Sequence, residues 1–333
     1  MTCTRRTLIL ALSIAGFLSA ASANDKNNEA KALVQKAIDI SDIRKEGAPP
    51  FRLKASLRIT NDDGSVIEGA YSESWVSKEQ WRKEIVLGDF QRTQVAIGRK
   101  SWTLDSSSTV PNGIRYLGRT FDLWALGPDL WKADKFEDLQ FDGSAALCFR
   151  TKPENGGMSE LCFDKTSGAI LGRTDRRSER KKTVDFTYMY QDYQRFGDRL
   201  VATSYKALKD KKPWLQAKVS ELTIRPELDQ TMFAPLAGGR EVYRCPSRPQ
   251  PPKAIWAPEP RPPAEMKDDE MVTLSVFVGT DGKPHDLTVI DSVNNDYDQA
   301  SLEAVRQWRF KPASCEGKPT ELEIAIEVHF HFR

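Results

Sequence analysis

The sequence is poor in the residues and spacings that mark an active site. Its 333 residues include three histidines, His285, His329 and His331. GxSxG, HExxH and phosphate-loop spacings are missing, which removes the nucleophile elbow, the zincin helix and the nucleotide cradle. His329 and His331 fall two apart on one face of a strand and could share a metal, but no third ligand accompanies them. CxxC is missing too, so neither a redox motif nor a zinc cluster is indicated. These absences predict a chain that is not an enzyme and that holds no cofactor or metal.

Charge bias and long apolar runs are also scarce. The formal charge is +2, with no concentrated stripe, so a nucleic-acid partner is not expected. The locally basic run Arg173 to Lys182 reads as a solvated hairpin or loop. The apolar stretch Leu8 to Ala20 spans 13 residues, short of the ~20 that cross a bilayer as a helix. Arg5 and Arg6 precede it and Ala21-Ser22-Ala23 follows, the form of a signal peptide cleaved after Ala23. An uncleaved inner-membrane anchor is the alternative. Loss of the two arginines leaves 47 basic against 47 acidic side chains in an exported, periplasmic chain.

Cysteine is sparse but even in number. Once Cys3 leaves with the signal, Cys148, Cys162, Cys245 and Cys315 remain. In an exported protein this points to disulfides, with three pairings open. Cys148 and Cys162 flank a Glu-Asn-Gly-Gly turn, and a hairpin folded there favours joining them, which leaves Cys245 with Cys315.

What is present is mostly strand. A helical pattern from about Asn28 to Arg44 ends at Gly47-Ala48-Pro49-Pro50. From Phe51 to about Leu236 short alternating segments follow one another between turn signals such as Asn61-Asp62-Asp63-Gly64. Phe121 to Leu130 is the one helical interruption expected. The order of helix then strands, the segment Asp192 to Gly197, and Leu228 to Phe233 before Pro235 resemble periplasmic lipoprotein carriers of the LolA type. That resemblance implies an open β-barrel around an apolar cavity for lipid or lipoprotein. Trp75, Trp81 and Trp102, with Trp124 and Trp131, could line such a cavity; ordinary aromatic core is the plainer reading.

Cys245 to Pro263 holds eight prolines in 19 residues and reads as an extended linker. Beyond Lys267 the pattern sharpens. Val272, Leu274, Val276 and Val278 alternate with Thr273, Ser275 and Phe277, and Thr280-Asp281-Gly282-Lys283 predicts a tight turn with positive φ angles. Asp298 is placed as the cap of a helix whose Ala304, Val305 and Trp308 face inward. In the last strand Leu322, Ile324, Ile326, Val328, Phe330 and Phe332 take one face, and Glu321, Glu323, Ala325, Glu327, His329 and His331 the other. Asp281-Gly282-Lys283, the helix from Asp298, Trp308-Arg309-Phe310-Lys311-Pro312 and Gly317-Lys318-Pro319, in that order, resemble the C-terminal domain of TonB energy transducers. The resemblance implies that Glu321 to His331 docks a receptor peptide or another envelope protein by strand addition, with a homodimer through the same domain as a further option.

The expected architecture is α+β. It comprises a signal peptide (1–23), an N-terminal helix with an antiparallel open β-barrel (24–240), a Pro-rich linker (241–265) and a small β-β-α-β domain (266–333).

Overall fold

The computed structural model describes residues 23–331 apart from 62, 108–109, 112–113, 115–116, 118–120, 122–130, 154–157, 180–181, 247–248 and 265–268. The signal-peptide reading, and the helix expected from Phe121 to Leu130, lie outside the described residues but for Ala23 and Phe121. Helix α1 (Ala23–Ser41) leads into β1 (Phe51–Thr60), β2 (Val66–Ser77), β3 (Gln80–Leu87), β4 (Phe90–Ile97) and β5 (Lys100–Asp105). A second series follows: β6 (Trp131–Phe141), β7 (Ser144–Pro153), β8 (Met158–Asp164), β9 (Ile170–Glu179) and β10 (Lys182–Gln191). The short hairpin β11 (Gln194–Phe196) and β12 (Arg199–Val201) precedes β13 (Ser204–Lys209), β14 (Lys212–Ile224), β15 (Arg240–Tyr243) and β16 (Lys253–Trp256).

Thirteen of these strands form one antiparallel sheet, ordered β15-β5-β4-β3-β2-β1-β14-β13-β10-β9-β8-β7-β6. Its two ends, β15 and β6, do not pair with each other, so the sheet is open and no barrel closes among the described residues. The alternation in β1 explains which face is inside. Phe51, Leu53, Ala55, Leu57 and Ile59 are buried, while Lys54, Ser56 and Arg58 are exposed. On the buried side α1 contributes Ala30, Val34 and Ala37, spaced as one helical stripe. Each Leu or Phe buried in this way stabilises the fold by about 1.5–3 kcal/mol.

Helix α1 stops at Ser41, short of the expected Arg44. The Asp42 carboxylate accepts the Arg44 N–H at 2.8 Å, a local bond that competes with continued helical pairing. This turn releases the Arg44 side chain toward the sheet. In the basic run, β9 and β10 pair as a hairpin, and Arg176 meets Asp185 directly opposite at 2.8 and 2.9 Å.

The C-terminal unit comprises β17 (Glu270–Val278), β18 (Pro284–Asp291), α2 (Asn295–Gln307), β19 (Arg309–Lys311), β20 (Ala313–Cys315), β21 (Lys318–Thr320) and β22 (Leu322–Phe330). Strands β18, β17 and β22 form a three-stranded sheet in that order, with α2 packed on the face of Val272, Leu274 and Val276. The linker is less free than its proline content predicts. Its proline-free stretch Lys253–Trp256 pairs with β19, Gln250 bridges Ser314, and the Trp308 indole donates to the Pro258 carbonyl at 3.1 Å. Proline removes ladder donors only where it stands, so the residues between prolines can still form a short edge strand.

Candidate functional site

The turn and helix of the C-terminal unit fix its last strand. Between β17 and β18 only Gly282 takes a positive φ, 75°, and its N–H donates to the Gly279 carbonyl at 2.9 Å. This is a three-residue loop with one left-handed residue, not the two-residue turn with two positive φ angles that Asp-Gly predicts. Gly282 is needed for a second reason: a Cβ there would lie 2.0 Å from the Phe310 carbonyl oxygen. The Phe310 N–H donates to the Gly282 carbonyl at 2.9 Å, so the Asp-Gly-Lys and Trp-Arg-Phe-Lys-Pro segments meet in space.

The cap of α2 is Asn294, not Asp298. Its side chain accepts from the N–H groups of Asp296 and Tyr297. Asn and Asp cap about equally well, so an extended backbone at Asn294 decides between neighbours of equal propensity. Asp298 sits in the first helical turn and accepts from the Ser292 hydroxyl at 2.6 Å.

Strand β22 pairs with β17 from Phe330↔Glu270 to Leu322↔Val278 and stands at the sheet edge. Among the described residues no strand pairs with its outer side, so a row of backbone donors and acceptors faces outward. Ile326, Val328 and Phe330 are buried, whereas Glu323, Ala325, Glu327, His329 and His331 are exposed and Glu321 is half-buried. Glu321 meets His285 at 3.0 Å, and the rings of His329 and His331 stack 6.3 Å apart. No group of three metal-ligating side chains occurs among the described residues.

Beside this strand a cavity of about 800 Å³ opens between the large sheet and the three-stranded sheet. Its far wall follows from strand register. Glu73, Lys83, Gln94, Thr103 and Arg240 form one row across β2, β3, β4, β5 and β15. Tyr71, Ile85, Arg92 and Asp105 form the next. The near wall includes Ser275, Phe277, Glu323 and Ala325, the face of the small sheet away from α2. Arg240 crosses the gap, pairing with Asp286 at 3.0 Å and lying 3.7 Å over the Phe277 ring. Arg92 grips Asp105 with two bonds of 2.7 Å.

Behind the wall Glu73 is fully buried. Burial alone would raise its carboxyl, but the charges of Arg44 and Lys83, with bonds from Arg44 and from Tyr71 at 3.0 Å, outweigh that and hold it at about 2. The cavity is therefore not the apolar pocket implied by likeness to lipoprotein carriers: paired charges stand among Ile85, Ile114 and Phe121.

None of Trp75, Trp81 and Trp102 lines it. Trp75 is core, stacked on Phe51 at 5.4 Å. Trp81 lies beneath the Lys83 ammonium at 4.8 Å. Trp102 has the opposite parity to Asp105 on β5 and so faces the other side of the sheet. Trp124 lies outside the described residues. The structure joins Cys148 to Cys162, directly opposite on β7 and β8, and Cys245 to Cys315, which ties the linker to the C-terminal unit. Arg44, Arg92 and Arg240 carry no signal in the sequence, since only long-range register brings them together.

Residues 260–332 match the family model of the Gram-negative bacterial TonB protein C-terminal, as the motifs of that segment indicate. Solved structures similar to the rest are distant. A domain from Vibrio parahaemolyticus named for outer membrane lipoprotein sorting is 14% identical, with a TM-score of 0.43, over 64% of this chain and 97% of that one. A LolA superfamily protein from Nitrosomonas europaea is 12% identical, with a TM-score of 0.42, over 62% and 97%. A DUF1329 family protein from Desulfovibrio piger is 12% identical, with a TM-score of 0.43, over 64% and 97%. No curated protein matches the chain. No described helix is long and apolar enough to cross a membrane.

Proposed function

We propose that the chain is a non-enzymatic binding protein of the cell envelope that captures an extended segment of a partner protein along β22, in transport of the TonB type. The observation that carries this reading is the unpaired outer edge of β22, in a segment that matches the TonB C-terminal model. Strand addition draws affinity from the backbone groups of such an edge and selectivity from alternate side chains. In an antiparallel edge strand successive N–H groups point alternately toward the sheet and away from it. Of Ala325→Pro and Ile326→Pro, one therefore removes an outward donor and the other a ladder donor. The outward variant should stay folded and lose partner capture in a pull-down, since proline is tolerated on the open side of an edge strand. Undiminished capture by both variants, each folded by circular dichroism, would sink the proposal.

A second reading makes the chain a carrier of lipid or lipoprotein, and the cavity of about 800 Å³ is the observation in its favour. Its mixed lining suits an amphiphile better than a bare acyl chain. Native mass spectrometry of protein purified from its own envelope separates the two. A co-purifying lipid of defined mass would put the carrier first, and an empty protein would leave β22 as the principal site.

A further inference from the structure

The partner strand has a chemistry that β22 dictates. Glu323, Ala325 and Glu327 project from the same exposed face at alternate positions. Among the described residues neither glutamate has a lysine or arginine within ion-pair distance; Glu323 accepts from Ser275, and Glu327 lies 3.7 Å from His329. Opposite them on β17 stand Phe277, Ser275 and Thr273, none of them cationic. Two carboxylates therefore flank a small side chain at the open edge of a sheet. A strand added there brings one residue directly opposite Ala325, with Glu323 and Glu327 as its diagonal neighbours, within reach of a long side chain. Ala325 leaves the room that such a side chain needs.

Resting on the strand-addition reading, we propose that β22 selects a segment bearing lysine or arginine at the position opposite Ala325, flanked by apolar residues that continue the buried face of Ile324 and Ile326. Glu323 and Ala325 also line the interdomain cavity, where the nearby Arg92 and Arg240 are already held by Asp105 and Asp286. A second copy of this chain fits less well in the two registers centred on this site. Antiparallel self-pairing of β22 about Ala325 sets Glu323 against Glu327, and pairing about Glu327 sets that residue against itself, both repulsive.

Two synthetic peptides test this on the full chain: acetyl-Val-Thr-Val-Lys-Val-Thr-Val-amide and the same peptide with Glu for Lys. In calorimetry at low ionic strength the Lys peptide should bind tighter by on the order of tenfold. The ratio should shrink at ~0.5 M salt, where exposed charges are screened. It should collapse in the double variant Glu323→Gln/Glu327→Gln. Equal binding, or preference for Glu, would overturn the charge selection and leave strand addition standing. Binding of neither peptide would overturn both. A dimer by sedimentation whose edge admits neither peptide would assign the edge to a second copy, and that also overturns the proposal.

Discussion

Glu73 holds a negative charge at a position with no exposure, kept there by Arg44, Lys83 and Tyr71. Its carboxyl sits at about 2 against an ordinary 4.5, so the cluster contributes stability that is complete above about 4.5 and lost as pH falls toward about 2. The lowered value corresponds to on the order of 3 kcal/mol. Glu73→Gln removes the carboxylate that faces Arg44 and Lys83 and should cost a similar amount, about 3 kcal/mol, at neutral pH. Urea unfolding should show that deficit shrinking to nearly nothing by pH ~2; a deficit constant across this range would refute the linkage. Gly282 offers a second test at the same scale. Gly282→Ala meets both the left-handed backbone and the Phe310 carbonyl, and should cost more than ~2 kcal/mol. Gly317→Ala has a φ of 80° but nothing within 4 Å, and should cost only the backbone part, about 1 kcal/mol. Equal losses in denaturant midpoint would show that the Phe310 approach does not matter.

Elements differ in how far they could be read from residues alone. Strands with one wet and one dry face, such as β1 and β22, announce themselves because burial imposes a period of two. Strand β9 does not, because charged residues interrupt its apolar rhythm: Arg173 pairs with Asp175 along the strand, and Arg176 with Asp185 across to β10. Pattern alone puts the α2 cap at Asp298, four residues past Asn294, since both side chains suit the position and only the backbone geometry chooses. The disulfides, by contrast, act on the chain's entropy, and loop length ranks them. Cys148–Cys162 closes a separation of 14 residues and Cys245–Cys315 one of 70. Loop-closure entropy assigns them about 3 and about 4 kcal/mol. Replacing both cysteines of a pair by serine should therefore lower the melting temperature more for the 245–315 pair. The reverse order would place the disulfide contribution in packing of the hairpin instead.

At the scale of the whole molecule, the site is made by elements far apart in sequence. The row from Glu73 to Arg240 needs five strands in register, and the Arg240–Asp286 contact needs the linker to fold the small unit back over the large sheet. Local pattern carries no trace of such contacts, which is why the tryptophans stood out as cavity candidates while the arginines of the cavity wall did not. The edge strand was legible because it needs only alternation and a motif order. Amide hydrogen exchange by NMR along Leu322–Phe330 tests the central claim most directly. In the free protein, the amides bonded to β17 should be protected and the alternate, outward amides should exchange fast. Adding the lysine-bearing peptide should slow the outward set alone. Uniform protection in the free protein, or outward amides still fast at saturating peptide, would contradict an open edge that takes a partner strand.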